Sequence, residues 1–157
     1  MTGQKKLAYE LGEQKRAIKN LQFSLQERLA LYETTDPKIW LLSESQAEIA
    51  LNFAIQMIRL QKMEEAAEYL NIARKTLEPL PGAEWSERHE WHSLRRDVYK
   101  NMAIFHQGQE EWQKAFDNLR ITISHERRIG DNTANSALTC GILLSKMNRF
   151  AESVEYA

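Results

Sequence analysis

The sequence predicts an all-α fold made of repeated pairs of antiparallel helices. Only three prolines and six glycines occur in 157 residues, so few positions break a helix. No stretch alternates apolar and polar residues in the way a half-buried strand does. Three windows of the chain also resemble one another, and such internal similarity indicates repeating helical units.

The first complete pair of helices is predicted between Asp36 and Gly82. Asp36 and Pro37 are a suitable cap and first-turn residue for the first helix. One face of that helix carries the apolar residues Ile49, Phe53, Met57 and Leu60. The second helix starts at about Glu64, carries Ala66, Ala67, Leu70 and Ala73 on one side, and stops at Pro79, Pro81 and Gly82. A further helix, with Ser86 as its cap, runs to about Gln107.

The repeat is visible in small residues at fixed spacing. The windows "NFAIQMIRLQKMEEAAEYLNIA", "NMAIFHQGQEEWQKAFDNLRIT" and "TCGILLSKMNRFAESVEYA" begin at Asn52, Asn101 and Thr139. In each, one small residue lies twelve positions before another, and a large apolar residue precedes the second by three. These sets are Ala54, Met63 and Ala66; Ala103, Trp112 and Ala115; and Gly141, Phe150 and Ser153. Small residues are needed where two helices approach closely, so the windows predict equivalent helix pairs.

This pattern resembles the tetratricopeptide repeat (TPR) family, which has a small residue in each helix of a pair and an aromatic residue in the joint. A weaker copy, "LGEQKRAIKNLQFS", places Ala17 and Leu21 in a second helix whose first helix is mostly missing. The resemblance implies a right-handed superhelical α-solenoid of about three and a half units, forming a single domain over residues 1–157. The units are roughly 1–34 (partial), 35–80, 84–129 and 131–157 (incomplete).

The units differ from the ideal repeat in length. The second small residue recurs after 49, 49 and 38 positions, counted from Ala17, whereas the family repeat has about 34 residues. We therefore expect extended helices. The joint glycine usual in the family would fall near Glu110 rather than at Gly108. The incomplete first and last units lead us to expect a piece of a longer repeat protein.

Composition argues against several kinds of partner. The net charge of −1 gives no general attraction to nucleic acid or to an anionic membrane. No apolar run is long enough for a membrane span or a signal sequence. The single cysteine, Cys140, cannot form an internal disulfide. We expect a cytoplasmic protein with no direct nucleic-acid or membrane partner.

The segment "RHEWH" raises the question of a metal site, and we interpret it as structural. His89 and His92 are three residues apart, whereas the zincin motif needs four, and no third ligand lies nearby in the sequence. The preferred interpretation is a solvated first turn of a helix whose Trp85 and Trp91 pack on the preceding helix pair. His106 is expected to pack between helices, and His125 to contact carbonyls near a helix end.

The sequence gives no support for a nucleophilic cysteine, a phosphate-binding loop or a catalytic carboxylate pair. Cys140 lies on the predicted packing face of its helix, where a thiol behaves as a small apolar group. No glycine-rich phosphate loop occurs, and the pairs Glu64–Glu65 and Glu110–Glu111 suit the starts of helices. We therefore expect no enzyme activity, no cofactor and no metal.

The TPR resemblance implies a binding groove on the first helix of each pair. In the family, an asparagine just before the small residue clamps the backbone of the ligand. Asn52 and Asn101 occupy this position, and Thr139 replaces the asparagine in the last unit. Helical spacing adds other polar residues to the same faces: Glu48, Arg59, Asp97, Lys100, Gln107, Asn135 and Lys146.

Such a groove predicts a protein-interaction module that binds a peptide or helical segment of a partner. The alternative is a peptide-sensing regulatory domain of a larger signalling or transcription-regulatory protein. The exposed ends of the array, or aromatic edges at Trp40 and Trp85, would also allow a homodimer.

Overall fold

The chain folds into α-helices, as the sequence predicts. A computed structural model describes residues 3–31, 37–78 and 88–148, and these residues contain no strand. The helices are α1 (Gly3–Leu31), α2 (Pro37–Arg59), α3 (Met63–Thr76), α4 (His89–Gly108), α5 (Trp112–Ile129) and α6 (Ala134–Lys146). None of them is both long and apolar enough to span a bilayer.

Contacts divide the chain into two compact units, residues 1–88 and 89–157. In the first unit α2 packs against both α1 and α3. The connection between α2 and α3 is only three residues long, so the two helices are antiparallel. The prediction that residues 1–157 form a single repeat domain stays a prediction.

The core of the first unit is built from the apolar stripes of its helices. Ile18, Phe53, Met57 and Leu70 are almost completely buried. Two positions predicted for this core are wrong. Leu60 is exposed because α2 ends at Arg59, which leaves Leu60 in the turn, and Ala67 is exposed on the outer side of α3.

In the second unit, α5 packs against both α4 and α6. Its largest core cluster joins all three helices, and Trp112 and Met147 pack on its edge. The cluster contains Ala103, Ala115, Phe116, Leu119, Ile123, Cys140, Leu143 and Leu144.

The small residues that define the repeat lie where the pattern requires. Ala54, Ala66, Ala103 and Ala115 are at most 2% exposed, and Gly141 is buried. Ser153 and Phe150 lie outside the described residues. In α1 the weak copy of the pattern is less precise, because Ala17 is half-buried while its neighbour Ile18 fills the core.

The joints between helices provide a structural sign of repetition. Gln61, Glu110 and Asn148 have φ angles of 59°, 59° and 60°, a left-handed conformation that non-glycine residues rarely adopt. Each lies five positions before the second small residue of its window. The first two joints also share a hydrogen bond, in which Lys62 N donates to Met57 O and Glu111 N donates to His106 O, both at 2.9 Å. The same joint therefore recurs at the spacing of the repeat.

Replacing Glu110 by glycine is expected to stabilise the chain by about 0.5–1 kcal/mol. A left-handed conformation costs an L-residue roughly 1–2 kcal/mol, and the entropy lost by glycine on folding offsets about half of that gain. Gln109→Gly is the matched control, because Gln109 has a negative φ and should gain nothing. Urea denaturation would measure both, and equal stability of the two variants would contradict this explanation of the joint.

Candidate functional site

A cleft on the second unit brings together four of the residues that the sequence places in a binding groove. Its volume is about 200 Å³, and it opens between α4 and α6 with α5 beneath. The lining residues are Lys100, Ala103, Ile104, Gln107, Leu119, Asn135, Ser136 and Thr139. Of these, Lys100, Gln107, Asn135 and Thr139 were predicted.

The cleft has an apolar floor, and its rim carries both polar and apolar side chains. Ala103 and Leu119 are 2% and 5% exposed and form the base. Ile104 is 47% exposed at the edge, where its apolar surface is available to a ligand. Ala103 is one of the repeat's small residues, and its short side chain leaves space between the helices.

The polar groups of the cleft can bind an acidic group as well as the N–H and C=O groups of a peptide. Lys100 is the only charged residue among the lining residues that the structure describes. Gln107 and Asn135 carry amides that can donate and accept hydrogen bonds, while the Thr139 hydroxyl donates to Asn135 O at 3.0 Å within α6. The cleft is smaller than pockets that enclose a whole small molecule, about 300–1,000 Å³. Its size suits one side chain of a longer segment.

Three other predicted residues of this unit lie outside the cleft lining. The side-chain amide of Asn101 donates to Asp97 O at 2.8 Å, one turn earlier in α4. The Asp97 carboxylate accepts a hydrogen bond from Arg96 Nε at 3.1 Å. Lys146 Nζ lies 5.0 Å from the centre of the Trp112 ring. These side chains have local contacts, and their role in ligand binding stays a prediction.

The predicted residues of the first unit share one face of α2. Glu48, Asn52 and Arg59 are all exposed, and spacings of four and seven positions align them along the helix. Their participation in a groove also stays a prediction.

The apolar part of the cleft was missed in the sequence. Ile104 follows Lys100 by four positions and precedes Gln107 by three, so all three share one side of α4. An isoleucine on a face otherwise assigned to polar residues was the available signal. Leu119 and Ser136 gave no comparable signal, because only the packing of α5 and α6 brings them to the cleft.

The interpretation of His92 as part of a solvated turn is wrong. His92 and His125 are 8% and 9% exposed, and their Nδ1 atoms lie 2.8 Å apart between α4 and α5. His125 therefore contacts side chains of α4 rather than ending its helix. Trp91 is buried, and its ring packs edge-on against both imidazoles. Trp85 lies outside the described residues, and His89 is exposed.

The hydrogen bonds of this histidine pair indicate which ring nitrogens carry a proton. Arg95 Nε donates to His125 Nε2 at 3.2 Å, so Nε2 accepts and His125 carries its proton on Nδ1. His125 Nδ1 then donates to His92 Nδ1, which accepts. A second proton on His125 would lie on Nε2 and face the Arg95 donor, so this arrangement favours the neutral His125 ring. Burial, followed by the electrostatic influence of the Arg95 guanidinium and of His92, lowers the pKa of His125 from 6.5 to about 4.

His106 and Cys140 lie in surroundings typical of structural rather than catalytic residues. His106 is half-buried, and its Nδ1 lies 3.2 Å from Glu111 Oε1 in the joint. Burial raises the pKa of the Cys140 thiol to about 11, which disfavours the nucleophilic thiolate. Within residues 3–31, 37–78 and 88–148, no group of three or more His, Cys, Asp or Glu side chains could hold a metal ion.

Comparison with known proteins gives no family or homologue. No family model, no curated protein and no solved structure matches this chain.

Proposed function

We propose that this chain is a protein-interaction module whose cleft on the second unit binds a peptide or helical segment of a partner. The observation that carries the proposal is the cleft itself, where an apolar floor lies beside Lys100 and several amide and hydroxyl groups. The module belongs, in this proposal, to a TPR-like solenoid. Recurrent left-handed joints and buried small residues support that architecture.

The chemistry of the cleft indicates what the segment carries. An apolar side chain would cover Ala103 and Leu119 and make contact with Ile104 at the edge. The ammonium group of Lys100 would favour an acidic group next to that side chain. Asn135 and Gln107 would pair with peptide N–H and C=O groups, which otherwise lose hydrogen bonds to water on binding. The preferred ligand is therefore a short segment with neighbouring apolar and acidic residues.

Selection from a phage-displayed library of random peptides would test this function. We expect enriched peptides to carry an apolar residue close to Asp or Glu. Their affinity, measured by fluorescence anisotropy, should fall about tenfold for Ile104→Asp, about 1.4 kcal/mol, because the new carboxylate removes an apolar contact and repels the acidic residue of the peptide. Lys100→Glu should select against the acidic peptides.

Ile121→Asp provides the matched control for Ile104→Asp. Ile121 is 37% exposed on α5 and lies outside the cleft lining, so the substitution adds the same charge elsewhere. Circular dichroism should show both variants folded. The proposal fails if no peptide is enriched, or if the enriched peptides bind Ile104→Asp as tightly as Ile121→Asp.

A further inference from the structure

Helix α1 carries an exposed stripe that the proposed cleft does not involve. Phe23 and Tyr9 are 62% and 60% exposed, more than any other large apolar residue in the part of the chain that the structure describes. Arg16 lies midway, seven positions from each, and its side chain is 68% exposed. Residues seven apart lie on nearly the same side of a helix, with a drift of about 20° per heptad. Tyr9, Arg16 and Phe23 therefore form one line, the α1 stripe.

The α1 stripe points away from the rest of the first unit. Ile18 is 1% exposed, and Lys15 Nζ lies 3.3 Å from Glu65 on α3 and 5.6 Å from the centre of the Phe53 ring on α2. These contacts define the inner side of α1. Tyr9 is nine positions from Ile18, which is two and a half turns at about 3.6 residues per turn, so it lies on the opposite side. The stripe is about 21 Å long at roughly 1.5 Å per residue.

We propose that the α1 stripe is a homodimer interface, in which α1 of a second copy packs antiparallel with the two-fold axis beside Arg16. Because Tyr9 and Phe23 are equally distant from Arg16, Tyr9 of each copy then contacts Phe23 of the other. A two-fold interface requires this kind of self-complementarity. Two aromatic pairs, one at each end, would remove all four exposed rings from water.

The charges beside the stripe favour the same arrangement. Glu13 and Arg16 form an ion pair within α1, and at the axis, where the two Arg16 side chains would meet, the Glu13 carboxylate beside each of them offsets their like charge. Lys6 and Glu27 are 21 positions apart, three heptads, so both flank the stripe on the same side. Antiparallel packing brings Lys6 of one copy to Glu27 of the other. Parallel packing would instead leave Lys6 and Glu27 at opposite ends of the dimer, so this attraction between the two copies would be absent.

The aromatic edge at Trp40 is less available for self-association than the α1 stripe. Trp40 is half-buried, and the Arg88 guanidinium lies 5.3 Å from the centre of its ring. Arg88 is held there by two hydrogen bonds to the Glu44 carboxylate, at 2.9 and 3.1 Å. Trp40 therefore has an intramolecular partner, whereas most of the Tyr9 and Phe23 surface is open.

The association state in solution tests the interface. Sedimentation velocity over a range of concentrations should show a monomer–dimer equilibrium for the unmodified chain. The double variant Tyr9→Glu/Phe23→Glu should raise the dimer dissociation constant by about tenfold or more, since it replaces both aromatic contacts of the interface with charged side chains. Both positions are exposed, so circular dichroism should show an unchanged fold.

Leu41→Glu is the control, because Leu41 is 57% exposed on α2 and away from the stripe. It should dimerise like the unmodified chain. A chain that remains monomeric at all concentrations overturns the proposal, and the stripe would then be open to a different partner. Equal dissociation of the Leu41→Glu variant would also overturn it.

Disulfide cross-linking tests the direction of packing. A mixture of Tyr9→Cys and Phe23→Cys chains should form a cross-linked dimer between the two variants under mild oxidation. Neither variant alone should cross-link efficiently, because residue 9 would lie far from residue 9 of the other copy. The native Cys140 is fully buried and does not compete. Efficient cross-linking of Tyr9→Cys with itself would indicate parallel packing and overturn the proposal.

Discussion

Leu143→Ala is expected to lower the free energy of unfolding by about 2–5 kcal/mol, the usual range for removing a fully buried leucine side chain. Leu143 is 0% exposed and belongs to the core cluster that joins α4, α5 and α6. The alanine would leave a cavity in this cluster, to which Leu119 and Ile123 also belong. Thermal and urea denaturation followed by circular dichroism would measure the loss.

Leu138→Ala is the matched control, with the same substitution in the same helix. Leu138 is 57% exposed, so its removal should change the unfolding free energy by about 0.5 kcal/mol or less. A similar loss for both variants would show that α6 is not packed on the cluster as described. The comparison thus tests whether α6 completes the core of the second unit.

Acidification is expected to destabilise the second unit through His125. The pKa of His125 is lowered in the folded chain from 6.5 to about 4, so the unfolded chain binds more protons between these values. Stability from the neutral ring is fully present above pH 6.5 and is lost as the pH falls towards 4. At about 1.4 kcal/mol per pKa unit, the loss is roughly 3 kcal/mol.

Comparison of variants separates this effect from the titration of carboxylates. Urea unfolding at several values between pH 7 and pH 4 should show a clearly smaller pH dependence for His125→Gln than for the unmodified chain. His89→Gln should retain the full dependence, because His89 is exposed. If His125→Gln loses stability with acid as steeply as the unmodified chain, the buried histidine pair does not cause the effect.

The helices and their joints were largely readable from the sequence. Apolar periodicity placed Phe53, Met57 and Leu70 in the core, and small-residue spacing identified Ala103 and Ala115 as close-packing positions. These signals are local, because a helix has 3.6 residues per turn and the residues on one of its faces are therefore close in sequence. Glu110, near which the joint glycine of the resembled family would fall, adopts a left-handed conformation.

Only part of the candidate site could be predicted from the sequence. Helical spacing identified Lys100, Gln107, Asn135 and Thr139, because residues of one helical face can be grouped from sequence. It did not identify Ile104 as a binding residue, since an exposed isoleucine and a buried one look alike in a single sequence. Nor did it predict that Asn101 would donate to Asp97 O within its own helix.

What the sequence by itself determined is the helical class, the positions of the turns and the small residues on which helices meet. Only the tertiary structure decided that His92 meets His125, 33 positions away, and that Leu119 of α5 lies beneath a cleft formed with α4 and α6. The physical reason is that helical periodicity fixes which residues share a face, whereas the rotation and offset of packed helices decide which faces meet. A small change in either would separate the histidines and alter the cleft, while leaving every helix in place.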